Sequence, residues 1–86
     1  MGMRNSQNIP LLRALASEVK ARRGELKINQ EELAHRAGVH RSFIARLEVS
    51  QTQPSLGVLF QIAEALETTP SEFVACIDRR FRVETD

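Results

Sequence analysis

Apolar residues recur at spacings of three and four along most of the chain, which is the period of α-helices with one buried face. The first such stretch begins after Asn8, with Pro10 in its first turn, where a missing amide hydrogen costs nothing. The positions on its inner face are Leu12, Leu15, Ala16, Val19, Arg23 and Leu26. Because Arg23 is the one charged residue on that face, we expect it to have a partner elsewhere in the fold.

The second and third helices are predicted by local signals. Asn29 and Glu32 stand three residues apart and predict a capping box, and Gly38 supplies the left-handed residue at which a helix can end. A third helix is predicted over residues 41–49, although His40 before it is a poor cap by residue type.

Two more helices follow. Ser55 predicts the start of the fourth, and Thr69, Pro70 and Glu72 give the fifth another capping box with Pro in first position. The inner positions are Leu56, Leu59, Ile62, Ala63 and Leu66 on the fourth helix, and Phe73, Ile77 and Phe81 on the fifth. No stretch alternates apolar and polar residues for long enough to predict a strand, so the fold class is all-α with five helices.

Length and composition indicate one small globular domain. The chain has 86 residues, of which 42% are hydrophobic and 27% charged. We expect the domain to span residues 9–82, with its last helix at about 70–82, a flexible tail at 1–8 and a fraying tail at 83–86. Since no apolar run approaches the roughly 18–20 residues of a membrane span, we expect no membrane contact and a cytoplasmic location.

The charge is unevenly distributed. Residues 1–50 carry nine Lys or Arg and five Asp or Glu, a net charge of +4, whereas residues 51–86 carry three and six, a net charge of −3. This asymmetry favours a side that faces a polyanion and a side turned away from it, but uneven solvation charge explains it equally well.

Residues able to catalyse a reaction or hold a metal are sparse and scattered. His35 and His40 have no thiolate or carboxylate at ligand spacing, so we expect surface and turn histidines rather than a zinc site. Glu31 and Glu32 belong to a helix start, and the single cysteine, Cys76, excludes an internal disulfide and is expected to be a buried or interface residue. We therefore expect no metal, no cofactor and no enzymatic activity.

Two short helices that meet at Gly38 form the outline of a helix-turn-helix. Ala34 is small enough for the third helix to cross close over it, and Val39, Ile44 and Leu47 fill the angle between the two helices. The outer surface of the third helix carries Arg41, Ser42, Ala45 and Arg46. A helix held by its rear face in this way can enter the major groove of DNA.

These residues carry a resemblance to a known family. Residues 29–48, NQEELAHRAGVHRSFIARLE, resemble the Cro/repressor-like (XRE-type) helix-turn-helix family, and residues 54–66, PSLGVLFQIAEAL, resemble the helix that follows the motif there. The similarity extends over about residues 12–74 and implies a compact five-helix, lambda-repressor-like domain that binds double-stranded DNA as a dimer. In size and layout the chain is similar to small phage-type repressors and restriction–modification controller proteins.

The resemblance implies roles for individual residues. The positions that face base edges in that family are held by Arg41, Ser42 and Arg46. Gln30 matches a position that contacts phosphate, and Arg23 and Glu48 match a pair that ties the first helix to the end of the recognition helix. Because arginine binds guanine through paired bonds to O6 and N7, we expect at least one guanine in each half-site. Ser42 has the alternative role of capping its own helix.

Other positions leave two interpretations open. Phe43 either touches a thymine methyl or sugar at the DNA or folds back on the helix scaffold. The loop residues expected to follow the DNA backbone, or else to form a plain solvated loop, are Gln51, Thr52 and Gln53. The sequence departs from the family at Lys27, Ser50 and Glu67, where glycine is common, and at His40, where Ser or Thr is common.

The apolar residues of the last two helices predict a dimer interface. Phe60, Phe73, Ile77 and Phe81 exceed what the last helices of a small bundle usually bury, and they are expected to form a self-complementary patch about a two-fold axis. The alternative is that Phe73 packs in the core and the others cover the first helix.

The sequence thus predicts a homodimeric transcriptional regulator that binds a pseudo-palindromic operator, with RNA polymerase as a further candidate partner. The alternative is a protein-binding module, such as an antitoxin, that uses the same fold mainly to bind another protein.

Overall fold

Five helices account for most of residues 8–85, the part of the chain that the computed structural model describes. The helices are α1 (Ile9–Leu26), α2 (Gln30–Ala37), α3 (Arg41–Glu48), α4 (Leu56–Ala65) and α5 (Pro70–Thr85). None of the described residues is in a strand, and the predicted all-α architecture of five helices is confirmed. Among these helices, none combines the length and the apolar character that crossing a membrane requires.

Side-chain caps begin four of the helices where the sequence predicts them. The carboxamide oxygens of Asn8 and Asn29 accept from the third amide beyond each, at 3.1 and 2.8 Å, and the hydroxyls of Ser55 and Thr69 do the same at 3.2 and 3.1 Å. The capping box at Asn29 is only half formed, because the Glu32 carboxylate accepts from Arg36 instead. These local contacts fix the helix starts.

The helix ends use left-handed residues, three of which are not glycine. Lys27 after α1, Ser50 after α3 and Glu67 after α4 have φ values of 59, 63 and 61°, and Gly38 after α2 has 70°. These three are the positions at which the sequence departs from the glycines common in the resembling family. A side chain in this conformation costs about 1–2 kcal/mol, because its β-carbon crowds the following carbonyl.

The core lies where all five helices meet. Its fully covered large side chains are Phe73, Leu33, Ile44, Leu47, Ile62, Leu66 and Val19. Leu56, which the sequence places on the inner stripe of α4, is instead 71% exposed at the first position of that helix.

The last helix is longer than predicted. Residues 83–86 were expected to fray, but α5 continues to Thr85, whose hydroxyl donates to the Phe81 carbonyl at 2.8 Å. Glu84 pairs with Arg13 of α1 at 2.8 Å and fastens this end to the bundle. The helix boundary therefore moves from residue 82 to Thr85. The predicted N-terminal tail lies outside the described residues except for Asn8, which caps α1.

Candidate nucleic-acid interface

The corner between α2 and α3 is fixed by backbone and side-chain hydrogen bonds. Gly38 has φ 70°, and the amide of Val39 donates to the Ala34 carbonyl at 3.0 Å, which closes the end of α2. From α4, the Gln61 amide nitrogen donates to the Ala37 carbonyl at 3.0 Å. This bond ties the end of α2 to α4, and no sequence signal pointed to it.

The rear face of α3 is buried and the front face is open. Ile44 and Leu47 are 0% and 1% exposed, and Phe43 is half-buried against the core. Arg41 and Arg46 are exposed, and neither pairs with any carboxylate of residues 8–85. The helix thus presents two uncompensated guanidinium groups to solvent. The position of Phe43 agrees with its scaffold interpretation rather than with a contact to DNA.

His40 caps α3 although its residue type is a poor predictor of a cap. Its ring Nδ1 accepts from the backbone amide of Ser42 at 3.4 Å and lies 3.0 Å from the Ser42 hydroxyl. The imidazole therefore takes the place of the Ser or Thr hydroxyl common in the resembling family. Ser42 is exposed, and its hydroxyl contacts the capping ring of His40. The cap itself is made by His40 and not by the Ser42 hydroxyl.

Arg23, Glu48 and Gln30 form a cluster behind α3. The Arg23 guanidinium donates to both Glu48 carboxylate oxygens at 2.7 and 2.9 Å and to the Ile28 carbonyl at 3.0 Å. Glu48, whose side chain is 4% exposed, also accepts from the Gln30 amide nitrogen at 2.9 Å. The pair that the resemblance implies is present, and it supplies the partner that Arg23 requires.

The electrostatics of this cluster favour the ionised carboxylate. Burial raises the pKa of Glu48, but hydrogen bonds from Arg23 and Gln30 and the positive charges of Arg23 and Lys20 outweigh it, so the pKa is lowered from its ordinary value. The hydrogen bond to Glu48 raises the pKa of Arg23 in turn. Both partners are therefore charged at neutral pH.

Gln30 and the loop after α3 lie next to the exposed face of α3 that carries Arg41 and Arg46. One amide hydrogen of Gln30 is donated to Glu48, and its second amide hydrogen has no partner among residues 8–85. The loop is anchored where it begins, since the Gln51 amide donates to the Arg46 carbonyl at 2.9 Å. Gln51 is exposed and Thr52 half-buried, whereas Gln53 lines an apolar groove on another side.

The predicted dimer patch requires a correction. Phe73 and Ile77 are 1% and 6% exposed, so the core of their own protomer covers Phe73 and leaves only a small edge of Ile77 at the surface. Phe81 is half-buried, with the Arg82 guanidinium 5.4 Å from its ring centre, and Phe60 is 46% exposed. Helical spacing identified the apolar face of α5 correctly but could not tell which neighbour covers it.

An uncharged groove of about 320 Å³ lies between α1, the start of α4 and α5. Its lining consists of Leu11, Leu12, Leu15, Gln53, Pro54, Leu56, Leu59, Val74 and Ile77. Leu11, Leu56 and Val74 are 40%, 71% and 45% exposed, and they form its open rim. Sequence reasoning missed this exposed apolar surface. The spacing of Leu11 and Leu15, four residues apart on α1, was a signal that the two side chains lie on the same side of the helix.

Within residues 8–85, no three His, Cys, Asp or Glu side chains are grouped closely enough to hold a metal ion. Cys76 is half-buried, and its sulfur lies 3.1 Å from a guanidinium nitrogen of Arg79.

Comparison with known proteins identifies the family. A helix-turn-helix family model matches residues 19–73. A curated protein of Methanothermobacter thermautotrophicus, described as an uncharacterized HTH-type transcriptional regulator, is 40% identical over 60 residues, which cover 70% of this chain and 87% of that protein. The chain therefore belongs to the XRE-type helix-turn-helix family. The members of this family are DNA-binding transcriptional regulators, not enzymes.

Solved structures share the fold. The restriction–modification controller protein C.AhdI from Aeromonas hydrophila has a TM-score of 0.69 and 29% identity, over 72% of this chain and 94% of that one. The tetramer of the controller protein C.Esp1396I, solved in complex with its natural 35 base-pair operator, has a TM-score of 0.77 and 24% identity, over 84% and 95% of the two chains.

Proposed function

We propose that this chain regulates transcription by binding a pseudo-palindromic double-stranded operator as a homodimer, with α3 in the major groove. One observation carries the proposal: Arg41 and Arg46 are exposed and unpaired among the described residues, on the front of a helix whose back is buried. Elsewhere in residues 8–85 most guanidinium groups are neutralised by carboxylates, so this face attracts a polyanion.

The front of α3 reads bases and its surroundings position the helix. Arg41 and Arg46 donate in pairs to guanine O6 and N7, each worth about 1–3 kcal/mol of discrimination, and Ser42 contacts a neighbouring base edge. Gln30 and the loop residues Gln51 and Thr52 contact phosphates, which orient the helix without specifying sequence.

Two copies are needed because one eight-residue helix makes few base contacts. The apolar groove supports a two-fold contact, since its lining is uncharged and three large apolar side chains at its rim are exposed. Pro54 and Leu56 of that groove follow the loop that begins at the end of α3. Binding of two half-sites requires the symmetric contact to hold both copies of α3 on one side, about 34 Å apart. The operator complex of C.Esp1396I supports assembly of this fold on DNA.

Occupancy of the operator then controls transcription. A bound dimer occludes RNA polymerase from an overlapping promoter or recruits it to an adjacent one. Both actions take place in the cytoplasm.

Selection from a random duplex library with the purified chain tests the proposal. We expect an enriched inverted repeat with guanine in each half-site, and affinity that falls steeply from about 50 to about 200 mM salt. Arg41→Ala should relax base preference at one position and leave the melting temperature unchanged, because Arg41 makes no contact that the fold requires. Arg82→Ala, an exposed arginine of α5, is the matched control and should bind like the wild type.

Failure to enrich any duplex would overturn the proposal. A flat response of binding to salt would do the same, and would favour the protein-binding module, such as an antitoxin, in its place.

A further inference from the structure

The positive charges of residues 8–85 fall into two groups. Arginines with a carboxylate partner within 3.3 Å are Arg13, Arg22, Arg23, Arg36, Arg80 and Arg82. Cations without such a partner are Lys20, Lys27, Arg41, Arg46 and Arg79. The proposed function accounts for Arg41 and Arg46, and Lys20 lies near Glu48, whose charge it helps to stabilise. The side chain of Lys27 makes no hydrogen bond or ion pair with residues 8–85, and the proposed site does not use it.

Lys27 occupies a left-handed backbone conformation, which is sterically unfavourable for a residue with a side chain. It ends α1 with φ 59° and ψ 42°, where glycine carries no steric cost, and its side chain is exposed. Glu67 has the same conformation, but its carboxylate pairs with Arg36 at 3.3 Å and so contributes to the fold. The Lys27 side chain makes no such contact with residues 8–85, so its ammonium is free to bind a group outside the protomer.

The turn that contains Lys27 is fastened to the recognition helix. Its amide donates to the Gly24 carbonyl at 3.2 Å, which sets the turn at the end of α1. The next residue, Ile28, accepts from Arg23 at 3.0 Å, and the same guanidinium holds Glu48 at the end of α3. One side chain thus fixes the distance between Lys27 and α3, so a duplex seated on α3 has a fixed relation to Lys27.

The surface next to this turn is polar and partly cationic. A hollow of about 240 Å³ is lined by Arg23, Asn29, Gln30, Glu31 and Arg41. It joins the start of α2, which directly follows the Lys27 turn, to the start of α3. A DNA backbone that passes along this edge comes within reach of a flexible four-carbon lysine stem.

We propose that Lys27 contacts a phosphate of the operator backbone and so extends the interface from the motif to the end of α1. This inference rests on the proposed function. The contact is a point charge on phosphate, so it raises affinity for all sequences alike and carries no base preference.

Lys27→Gly tests the inference, because the two consequences of the substitution have opposite signs. Glycine removes the left-handed strain, so the melting temperature should rise by about 4 °C. Loss of one phosphate contact should weaken operator binding about fivefold at about 0.15 M salt and make the slope of log K against log salt less steep by about one. A more stable protein that binds more weakly cannot be explained by unfolding.

Two control variants separate a contact from a general effect of charge. Lys27→Arg keeps the cation on the same backbone and should bind with the affinity and salt slope of the wild type. Arg79→Gln removes a cation from α5, which packs on α1 and α4, and should leave the slope unchanged.

Two results would overturn the inference while leaving operator binding intact. The first is a Lys27→Gly variant with the affinity and salt slope of the wild type. The second is an equal loss of slope in Arg79→Gln, which would show an effect of net charge alone. Absence of duplex binding by the wild type would instead overturn the proposed function, and this inference with it.

Discussion

The Arg23 guanidinium holds both carboxylate oxygens of Glu48, at 2.7 and 2.9 Å, and so joins the last third of α1 to the final residue of α3. A buried carboxylate is costly without such a partner, and here the partner also binds the backbone of the α1–α2 turn. The contact therefore does more than add an ion pair: it fixes the position of α3 relative to α1 and to the turn between α1 and α2.

Removal of the arginine should be strongly destabilising. Arg23→Ala leaves the Glu48 carboxylate buried with only Gln30 as a donor, and we expect a loss of about 2–3 kcal/mol in the free energy of unfolding. This is below the range for fully buried pairs because the Arg23 side chain is 21% exposed. Urea unfolding measures the change. Arg82→Ala, which removes an exposed pair within α5, should cost no more than about 0.5 kcal/mol, and an Arg23→Ala midpoint equal to that of Arg82→Ala would contradict the assignment.

The same pair makes stability depend on pH in the acid range. Because the pKa of Glu48 is lower in the folded protein than its ordinary value of 4.5, its stabilising contribution is complete above that value and is lost as the pH falls through the folded pKa. We expect the melting temperature to decline below about pH 4.5, and Glu48→Gln to show a shallower decline over the same range. Thermal melts of both proteins at a series of pH values measure the two slopes. Parallel slopes would show that other carboxylates account for the acid sensitivity.

Local signals in the sequence predicted the helices well. The capping residues Asn8, Asn29, Ser55 and Thr69 act within three residues of themselves, so their effect can be read without knowing the fold. The pairing of Arg23 with Glu48 was available from the resemblance, and the inward position of Arg23 in α1 called for a partner. The base and phosphate contacts assigned to α3 and its surroundings stay predictions.

Features that depend on which neighbour covers a side chain could not be predicted. Phe73 and Ile77 have the spacing of an apolar face, but only the fold shows that their own protomer covers them. Leu56 also lies on the apolar stripe of its helix but is left uncovered at the start of α4. The cap at His40 was missed for another reason. Capping propensities rank residue types, and histidine ranks low, but here the ring Nδ1 accepts a backbone amide hydrogen as a Ser or Thr hydroxyl usually does.

The corrected apolar surface gives a direct test of dimerisation. Leu56→Asp places a carboxylate at the rim of the groove, where burial against a second copy would strand it, so the dimer should weaken about tenfold or more. Since Leu56 is 71% exposed, the monomer should keep its melting temperature. Sedimentation equilibrium measures the association. Val83→Asp, at a position 81% exposed on α5, is the matched control and should remain dimeric. A wild-type chain that is monomeric at high concentration would refute the interface.

Relief of backbone strain should stabilise the protein at Ser50. Its φ of 63° follows α3, and its amide donates to the Leu47 carbonyl at 3.1 Å, a bond that glycine can also make. Ser50→Gly should therefore raise the free energy of unfolding by about 1 kcal/mol, reduced somewhat by the greater freedom of glycine in the unfolded chain. Glu67→Gly, in the same conformation, should gain less, because it also removes the pair with Arg36. Thermal unfolding of the two variants beside the wild type gives both values. If Ser50→Gly melted at or below the wild-type temperature, the left-handed serine would carry no strain, and none would be expected at Lys27 or Glu67.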